Sequence, residues 1–159
     1  MAIQEGEKLP AATMFMIRDG KPGPVTTDEL FAGKKTVVFA LPGAYTPTCS
    51  QAHLPGYVVN ADAIKAKGVD SIVCISVNDA FVMDSWGADK NAEEILMVGD
   101  GNGEFTAAIG LEMDGSEFGM GTRSQRYAMI VDDGTVTKLA VEDPGQFEVS
   151  KAESILEAL

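Results

Sequence analysis

Residues 36–49 read TVVFALPGAYTPTC, and they lead from a predicted strand to a predicted helix. The first six residues are β-branched or apolar and carry no charge, which is typical of a short buried strand. The residues after Cys49, from about 50 to 67, have a helical pattern. Cys49 is therefore expected at a helix N-terminus, where unpaired backbone N–H groups and the helix dipole stabilise a thiolate. The pattern indicates a nucleophilic thiol, although most free cysteines are inert buried residues.

The length and charge of the chain limit what it can be. Its 159 residues are enough for one domain with a substantial core, so we expect a single domain over residues 1–159. Twelve basic and 24 acidic residues give a net charge of −12, which repels phosphate and anionic lipid, so neither nucleic acid nor a membrane is an expected partner. No apolar run approaches the roughly 20 residues that span a bilayer. The first residues, MAIQEGE, lack a secretory pattern, and we expect a cytoplasmic protein.

The only other cysteine, Cys74, lies in the strand-like run SIVCISV at residues 71–77. A structural disulfide is not expected in a reducing cytosol. The favoured interpretation is a buried, inert thiol, because cysteine is among the residues most often fully buried. The alternative is that Cys74 resolves an oxidised Cys49, which requires the two side chains to approach each other.

Strand and helix patterns alternate along the rest of the chain. Strands are predicted at residues 36–41, 71–77, 95–99, 127–131 and 136–141, the last two as a hairpin around an Asp-Asp-Gly turn. Helices are predicted at residues 27–31 (a capped single turn), 50–67, 79–90, 104–109 and after 150. Pro55-Gly56 should kink or interrupt the second of these, and Ser150 and Glu153 should form a capping box for the last. Residues 1–25 are predicted as loop and short strand, and residues 112–121 as loop. This α/β order predicts a mixed central sheet flanked by helices, as in the thioredoxin-like fold.

The residues before Cys49 suit the chemistry of a reactive thiol. Thr46 lies three residues earlier, so its hydroxyl can reach the sulfur or a bound substrate oxygen, or it can cap the helix. Pro42 has no N–H and a fixed φ, which shapes the loop and shields a thiolate from water. Pro47 fits the first turn of a helix. Together these residues predict a structured loop around the sulfur.

Residues 42–50, PGAYTPTCS, resemble the active-site motif of the peroxiredoxins, in particular the type II or peroxiredoxin V subfamily. The segments HLPG at 53–56, VNDAFV at 77–82 and RSQRY at 123–127 also resemble that subfamily, as does the C-terminal helix. The resemblance covers essentially the whole chain, and it implies the thioredoxin-like fold.

The catalytic set of that family is a proline, a threonine, a cysteine and a distant arginine. The resemblance implies that these are Pro42, Thr46, Cys49 and Arg126. An arginine suits the task because it is always charged and its fork can hold a thiolate and a peroxide oxygen together. Arg123 is the competing candidate, and it is expected to support the site or to pair with acidic neighbours.

The implied activity is that of a thiol-dependent peroxidase, which reduces hydrogen peroxide and alkyl hydroperoxides to water and alcohols through a Cys49 sulfenic acid. The implied role is antioxidant defence and redox homeostasis, with no metal or other cofactor. Some subfamily members carry a resolving cysteine before the last helix, but residues 145–150 read GQFEVS here. The resemblance therefore implies an external thiol as partner, namely glutathione with or without glutaredoxin, with thioredoxin as the second candidate.

The resemblance also implies a homodimer. Four aromatic residues lie in segments that flank the active site in the family: Tyr45, Phe81, Trp86 and Phe118. The alternative for each of them is a place in the core, and for Trp86 the two interpretations have equal weight.

Other interpretations of the thiol are weaker. His53, the only histidine, lies four residues after Cys49 and could complete a metal pair, but no further cysteine or histidine cluster supplies the remaining ligands. The resemblance implies instead that His53 orients the local network. A tyrosine-phosphatase loop needs an arginine where Pro55 stands, and a dithiol oxidoreductase needs a cysteine where Ala52 stands. A non-enzymatic redox sensor or thioredoxin-like interaction module would use the same residues and stays open.

Overall fold

The computed structural model describes all 159 residues. Its strands are β1 (Thr13–Arg18), β2 (Lys21–Thr26), β3 (Lys35–Ala40), β4 (Ser71–Ser76), β5 (Leu96–Gly99), β6 (Glu112–Asp114), β7 (Thr122–Ser124), β8 (Tyr127–Asp132) and β9 (Thr135–Val141). Its α-helices are α1 (Thr27–Phe31), α2 (Leu54–Lys65), α3 (Ala80–Asp89), α4 (Glu104–Ala108) and α5 (Ala152–Ala158). A π-helical turn covers Cys49–His53, and a 3₁₀ turn covers Ser116–Phe118. No helix is both long enough and apolar enough to cross a membrane.

Seven strands form one sheet in the order β2-β1-β5-β4-β3-β8-β9. The three central strands β3, β4 and β5 run parallel, and the other neighbours are antiparallel. The predicted mixed sheet is therefore present. Along β3, Val38 and Ala40 enter one apolar cluster while Val37 and Phe39 enter the cluster on the opposite face. Burial on both faces explains why β3 has an uninterrupted apolar sequence.

Two local predictions hold in detail. Helix α1 begins with a capping box, in which the Thr26 hydroxyl accepts from the Glu29 N–H and the Glu29 carboxylate accepts from the Thr26 N–H. The β8–β9 hairpin turns at Asp133 and Gly134, whose φ values are 48° and 80°. Positive φ at both central residues is the geometry that Asp-Gly favours in a two-residue hairpin loop.

The prediction of a loop over residues 112–121 is wrong. Strands β6 and β7 form a small antiparallel hairpin, in which Glu112 lies opposite Ser124 and Asp114 opposite Thr122. Residues 13–26 likewise form the complete hairpin of β1 and β2 rather than a loop with one short strand. Strands of three residues are too short to give a readable alternation, and the glycines and prolines of β2 hide its pattern.

The predicted cap of the last helix is also wrong. Helix α5 begins at Ala152, and Lys151 stands at its N-cap position without a side-chain hydrogen bond. The Ser150 hydroxyl donates instead to the Glu142 carboxylate at 2.7 Å. A buried carboxylate that arrives from another part of the chain is a stronger acceptor than a local backbone group offers, so tertiary contact decides the role of this serine.

Of the kink or interruption predicted at Pro55-Gly56, the interruption is absent. Helical structure begins at Pro47, continues through the π-helical turn and passes into α2. In the π-helical turn the Leu54 N–H donates to the Cys49 carbonyl, which lies five residues earlier. Pro55 lies in the first turn of α2, where its missing N–H is tolerated. The irregularity takes the form of a widened turn, and Cys49 is its first residue.

Candidate active site

The loop between β3 and Cys49 is held by contacts on both sides. The Asn78 side-chain oxygen accepts from the Ala44 N–H at 2.9 Å, and the Tyr45 hydroxyl lies 2.8 Å from the Ser85 hydroxyl. A Cβ atom on Gly43 would come within 2.9 Å of a terminal nitrogen of Arg123, so a side chain there would displace the guanidinium. Tyr45 has a φ of 66°, a strained value for a residue with a side chain. These contacts fix the path of the chain into the helix.

The Cys49 sulfur lies against the guanidinium of Arg126. Arg126 Nη2 donates to Cys49 Sγ at 3.1 Å, and the cysteine is fully buried. The register of the β3–β8 pair explains this contact, because Tyr127 at the start of β8 lies opposite Ala40 at the end of β3. Arg126 and the loop after β3 therefore come to the same edge of the sheet. A permanent positive charge that donates to the sulfur stabilises its thiolate form.

His53 supports the same arginine from its other side. Arg126 Nη1 donates to His53 Nδ1 at 2.8 Å, and His53 Nε2 lies 3.1 Å from the Ser150 carbonyl oxygen. Because arginine can only donate and a carbonyl can only accept, the ring is neutral and carries its proton on Nε2. Burial, and next the charge of Arg126, lower the pKa of His53 from 6.5 to about 3, although the bond to Ser150 opposes this. His53 thus orients Arg126, as the resemblance implied.

The metal-pair interpretation of His53 finds no support in this geometry. Both ring nitrogens are already used, one as an acceptor from Arg126 and the other as a donor to Ser150. No group of three or more His, Cys, Asp or Glu side chains is placed to hold a metal ion.

The other two predicted site residues lie in the loop and do not contact the sulfur through a hydrogen bond. The Thr46 hydroxyl donates to the Gly43 carbonyl at 2.7 Å, so it neither binds the sulfur nor caps the helix. Its single proton is used there, which leaves the oxygen as an acceptor for a substrate hydrogen. The Pro42 carbonyl accepts from Arg123 Nη1 at 3.2 Å. Both residues shape the loop in front of Cys49.

Comparison with known proteins places this geometry in a family. Residues 4–156 match the Redoxin family. The chain is 48% identical over 163 residues to peroxiredoxin-2E, chloroplastic, of Arabidopsis thaliana, an alignment that covers 99% of this chain and 70% of the relative. It is 60% identical to the chain in a crystal structure of reduced Prx3 from Vibrio vulnificus in complex with H₂O₂, with a TM-score of 0.96 and 98% of each chain covered. The chain belongs to the peroxiredoxin family.

Within the peroxiredoxins the chain is of type II. Hybrid peroxiredoxin hyPrx5 of Haemophilus influenzae is 46% identical over 162 residues, which span this whole chain and 67% of the relative. The thioredoxin-like fold predicted from the sequence is confirmed by the shared structure. Membership of the family also establishes a thiol-dependent peroxidase with an antioxidant role, which decides against a purely structural domain.

In this peroxiredoxin Arg123 has a different role from Arg126. Its Nε donates to the Met120 carbonyl at 2.9 Å and its Nη1 to the Pro42 carbonyl. Of the two expectations for Arg123, support of the site agrees with its bond to Pro42, whereas pairing with acidic neighbours does not occur, since the only ion pairs are Arg18–Glu29 and Lys65–Glu94. Backbone carbonyls of the tight turn around Gly115–Met120 and of the loop before Cys49 satisfy the guanidinium instead, and they tie that turn to the loop.

Cys74 lies in the core beside the active site. It is fully buried in the central strand β4, opposite Phe39 of β3. Burial raises the pKa of its thiol well above the ordinary value, and the neighbouring Cys49 raises it further. A buried protonated thiol is a poor nucleophile, which favours the interpretation of Cys74 as inert.

The segment before α5 is a part of the site that no pattern in the sequence indicated. The Ser150 carbonyl accepts from both His53 Nε2 and the Tyr57 hydroxyl. The centre of the Phe147 ring lies 5.7 Å from Arg126 Cζ and 5.1 Å from the centre of the His53 ring. A backbone carbonyl has no signature in the residue type, so only the folded chain could identify this contact.

The four aromatic residues named for a dimer face divide into two groups. Trp86 is fully buried and donates from Nε1 to the Ser50 hydroxyl at 2.9 Å, so it is a core residue. Tyr45, Phe81 and Phe118 are exposed by 50%, 64% and 77%. These three rings are therefore free to contact another protein chain, whereas Trp86 is not.

Proposed function

We propose that Cys49 is the peroxidatic thiol of this peroxidase. The observation that carries the proposal is the 3.1 Å contact between Arg126 Nη2 and Cys49 Sγ. The thiolate attacks the terminal oxygen of a hydroperoxide, so an S–O bond forms while the O–O bond breaks. The leaving oxygen takes a proton and departs as water or an alcohol, and Cys49 becomes a sulfenic acid. Hydrogen peroxide and alkyl hydroperoxides are the proposed substrates.

The residues around the sulfur support this step. Arg126 can share its donors between the thiolate and a peroxide oxygen, which lowers the cost of moving negative charge from one to the other. The Thr46 oxygen can accept the hydrogen of the peroxide, because its own proton is used by the Gly43 carbonyl. Pro42 closes the loop and contributes no competing N–H. The proposed chemistry uses only side chains and thiols, without a metal or other cofactor.

We further propose that the sulfenic acid is reduced by an external thiol, glutathione together with glutaredoxin. Residues 145–150 contain no cysteine, and Cys74 is fully buried in β4. Glutathione attacks the Cys49 sulfur and releases water, which leaves a mixed disulfide, and a second thiol then releases reduced Cys49 by exchange. Thioredoxin is the second candidate reductant.

The burial of Cys49 sets a condition on this recycling. Glutathione is a tripeptide and far larger than hydrogen peroxide, so it needs a wider path to the buried Cys49, and we propose that the π-helical turn Cys49–His53 opens before the mixed disulfide forms.

A comparison of reductants tests the proposal. The rate of hydrogen peroxide consumption is measured with glutathione plus glutaredoxin and, separately, with thioredoxin plus its reductase. We expect sustained turnover with glutathione and glutaredoxin, none with Cys49→Ser, and full activity with Cys74→Ala. Turnover with thioredoxin alone, or loss of activity in a folded Cys74→Ala variant, would overturn the external-glutathione step and leave the role of Cys49 intact. Activity in Cys49→Ser would refute the peroxidatic assignment.

A homodimer and a cytoplasmic location complete the proposal. The exposed rings of Tyr45, Phe81 and Phe118 support the dimer, because one apolar surface on two copies can be buried by a two-fold contact. Sedimentation velocity should give twice the 16.8 kDa chain mass, and a Phe81→Asp variant should sediment as a monomer. A monomeric wild-type chain at micromolar concentration would refute the homodimer.

The cytoplasmic location stays a prediction, since relatives include chloroplastic proteins.

A further inference from the structure

Glu142 is a buried carboxylate outside every motif discussed above. It comes directly after β9, only 7% of it is exposed, and no lysine or arginine neutralises it. Its Oε2 accepts from the Glu148 N–H at 2.7 Å, the Ser150 N–H at 2.9 Å and the Ser150 hydroxyl at 2.7 Å. Burial acts to raise the pKa of Glu142, but the hydrogen bonds from Ser150 and residues 148–149 outweigh it and lower the pKa below the ordinary value.

The hydrogen bonds of Glu142 fix the segment that covers the active site. Most residues of the segment 143–149 are exposed, and several of them line a surface depression of about 290 Å³. Few apolar contacts therefore hold this segment in place. The carboxylate therefore determines where Ser150 and its carbonyl lie, since both the N–H and the hydroxyl of that residue end on it.

A series of hydrogen bonds connects the Ser150 carbonyl to the Cys49 sulfur. It accepts from His53 Nε2, His53 Nδ1 accepts from Arg126, and Arg126 donates to Cys49 Sγ. A backbone hydrogen bond adds a second link between Glu142 and Arg126: the Glu142 N–H donates to the Arg126 carbonyl at 2.9 Å. Glu142 is thus linked to Arg126 by two routes. Its backbone N–H binds the Arg126 carbonyl, and its carboxylate acts on the guanidinium through Ser150 and the His53 ring.

We propose that Glu142 is a positioning residue for peroxide reduction, which fixes Ser150 so that His53 holds the Arg126 guanidinium at the Cys49 sulfur. The proposal rests on the peroxidatic role of Cys49 and is independent of the thiol that recycles it. A residue that only stabilised the turn would affect unfolding and leave the reaction of Cys49 unchanged. A positioning residue must alter both the imidazole and the sulfur chemistry.

The test isolates the first half of the cycle, without any reductant. Reduced protein is mixed with hydrogen peroxide, and the second-order rate constant for sulfenic acid formation at Cys49 is measured by quenched flow and mass spectrometry. Because His53 is the only histidine, its Nε2 proton gives one identifiable imidazole resonance. In Glu142→Ala we expect the rate constant to fall by about tenfold to a hundredfold, and the Nε2 proton resonance to broaden or vanish.

Two variants serve as controls. Glu142→Gln keeps an amide oxygen that can accept the same bonds, so it should recover most of the rate and of the imidazole signal. Glu148→Ala removes an equal charge from an exposed side chain that makes no hydrogen bond, and it should behave as the wild type. Each variant is checked for native circular dichroism before its rate is measured.

Three outcomes would overturn the proposal: a folded Glu142→Ala variant that reacts at the wild-type rate, a slowed variant with an unchanged imidazole signal, or an equal loss in Glu148→Ala. If Glu142→Ala does not fold, Ser150→Ala replaces it, because this variant loses only the hydroxyl bond. It should lose a few-fold in rate and shift the imidazole signal, and a wild-type rate with a wild-type signal would overturn the part of the proposal that the hydroxyl bond carries. Sulfenic acid formation in a Cys49→Ser variant is a separate outcome, which would refute the proposal that Cys49 is the peroxidatic thiol.

Discussion

At Arg126 a single guanidinium binds two different partners. One terminal nitrogen donates to the Cys49 sulfur and the other to the neutral ring of His53. Arg123, only three residues earlier, donates to two backbone carbonyls. The same residue type is therefore used once to stabilise a thiolate and once to tie a turn to a loop. Spacing in the sequence cannot separate these roles, because the two arginines lie only three residues apart, Arg123 within β7 and Arg126 directly before β8.

The two arginines predict opposite results for the same substitution. In Arg126→Lys one ammonium cannot satisfy both the sulfur and the ring, so we expect the rate constant of Cys49 with hydrogen peroxide to fall by about a hundredfold. In Arg123→Lys the ammonium can still donate to a carbonyl, so the rate should stay within about threefold of the wild type. Stopped-flow measurement on the reduced protein checks both. An equal loss in the two variants would mean that general charge, and not the contact to the sulfur, matters.

At the scale of elements, the π-helical turn Cys49–His53 sets the angle between the thiol and α2. A π-helical turn holds one residue more than the same length of α-helix, so it rotates the residues before it relative to the helix after it. Cys49 and His53 both face Arg126, although the arginine uses a different nitrogen for each. Tyr57 continues this face in α2 and shares the Ser150 carbonyl with His53.

Deletion of Gln51 tests the function of the widened turn. Gln51 is exposed, and its removal should let the segment close into regular α-helix. Cys49 would then rotate by about 100° relative to α2 and leave Arg126. We expect a folded protein that has lost at least about a hundredfold in its reaction with peroxide. The control Gln51→Ala keeps the residue count and should react normally, whereas an active deletion variant would show that the turn is dispensable.

Some elements could be predicted from the sequence because their signals are local. Three elements have a clear local pattern in the sequence, namely the buried strand β3, the hairpin β8–β9 and the capped turn α1. The β6–β7 hairpin does not, because its strands are three residues long and surrounded by glycine. Ser150 carried a local capping signal that was overridden by Glu142, a residue eight positions away. Local patterns are reliable where nothing distant competes for the same groups.

At the scale of the whole molecule, the sheet gathers the site from three distant segments. Arg126 is 73 residues from His53 and 77 from Cys49, and Ser150 is 97 residues from His53. The motif and its resemblance to a family predict Cys49, Thr46, Pro42 and Arg126 as the site residues. The bonds that orient Arg126 could not be predicted in this way, since they depend on β3–β8 register and on a backbone carbonyl.

The neutral ring of His53 also links the site to the stability of the fold. The pKa of this group is 6.5 when exposed and about 3 in the folded chain, so between these values the unfolded chain binds a proton that the folded chain does not. Stability from this group is therefore full above pH 6.5 and is lost as the pH falls towards 3. Between pH 7 and pH 5 the loss is about 2 kcal/mol in the free energy of unfolding.

Urea unfolding of wild type and His53→Asn at pH 7 and pH 5 measures this loss. All other titrating groups are shared, so the wild type should lose about 2 kcal/mol more than the variant over this interval. As a control, Gln51→His adds an exposed imidazole whose pKa is the same folded and unfolded, and it should behave as the wild type. Parallel losses in wild type and His53→Asn would show that His53 takes up its proton in the folded chain as readily as in the unfolded chain, so that the ring is charged at pH 5. A charged ring cannot accept from Arg126, so the same result would also break the link between Glu142 and the sulfur.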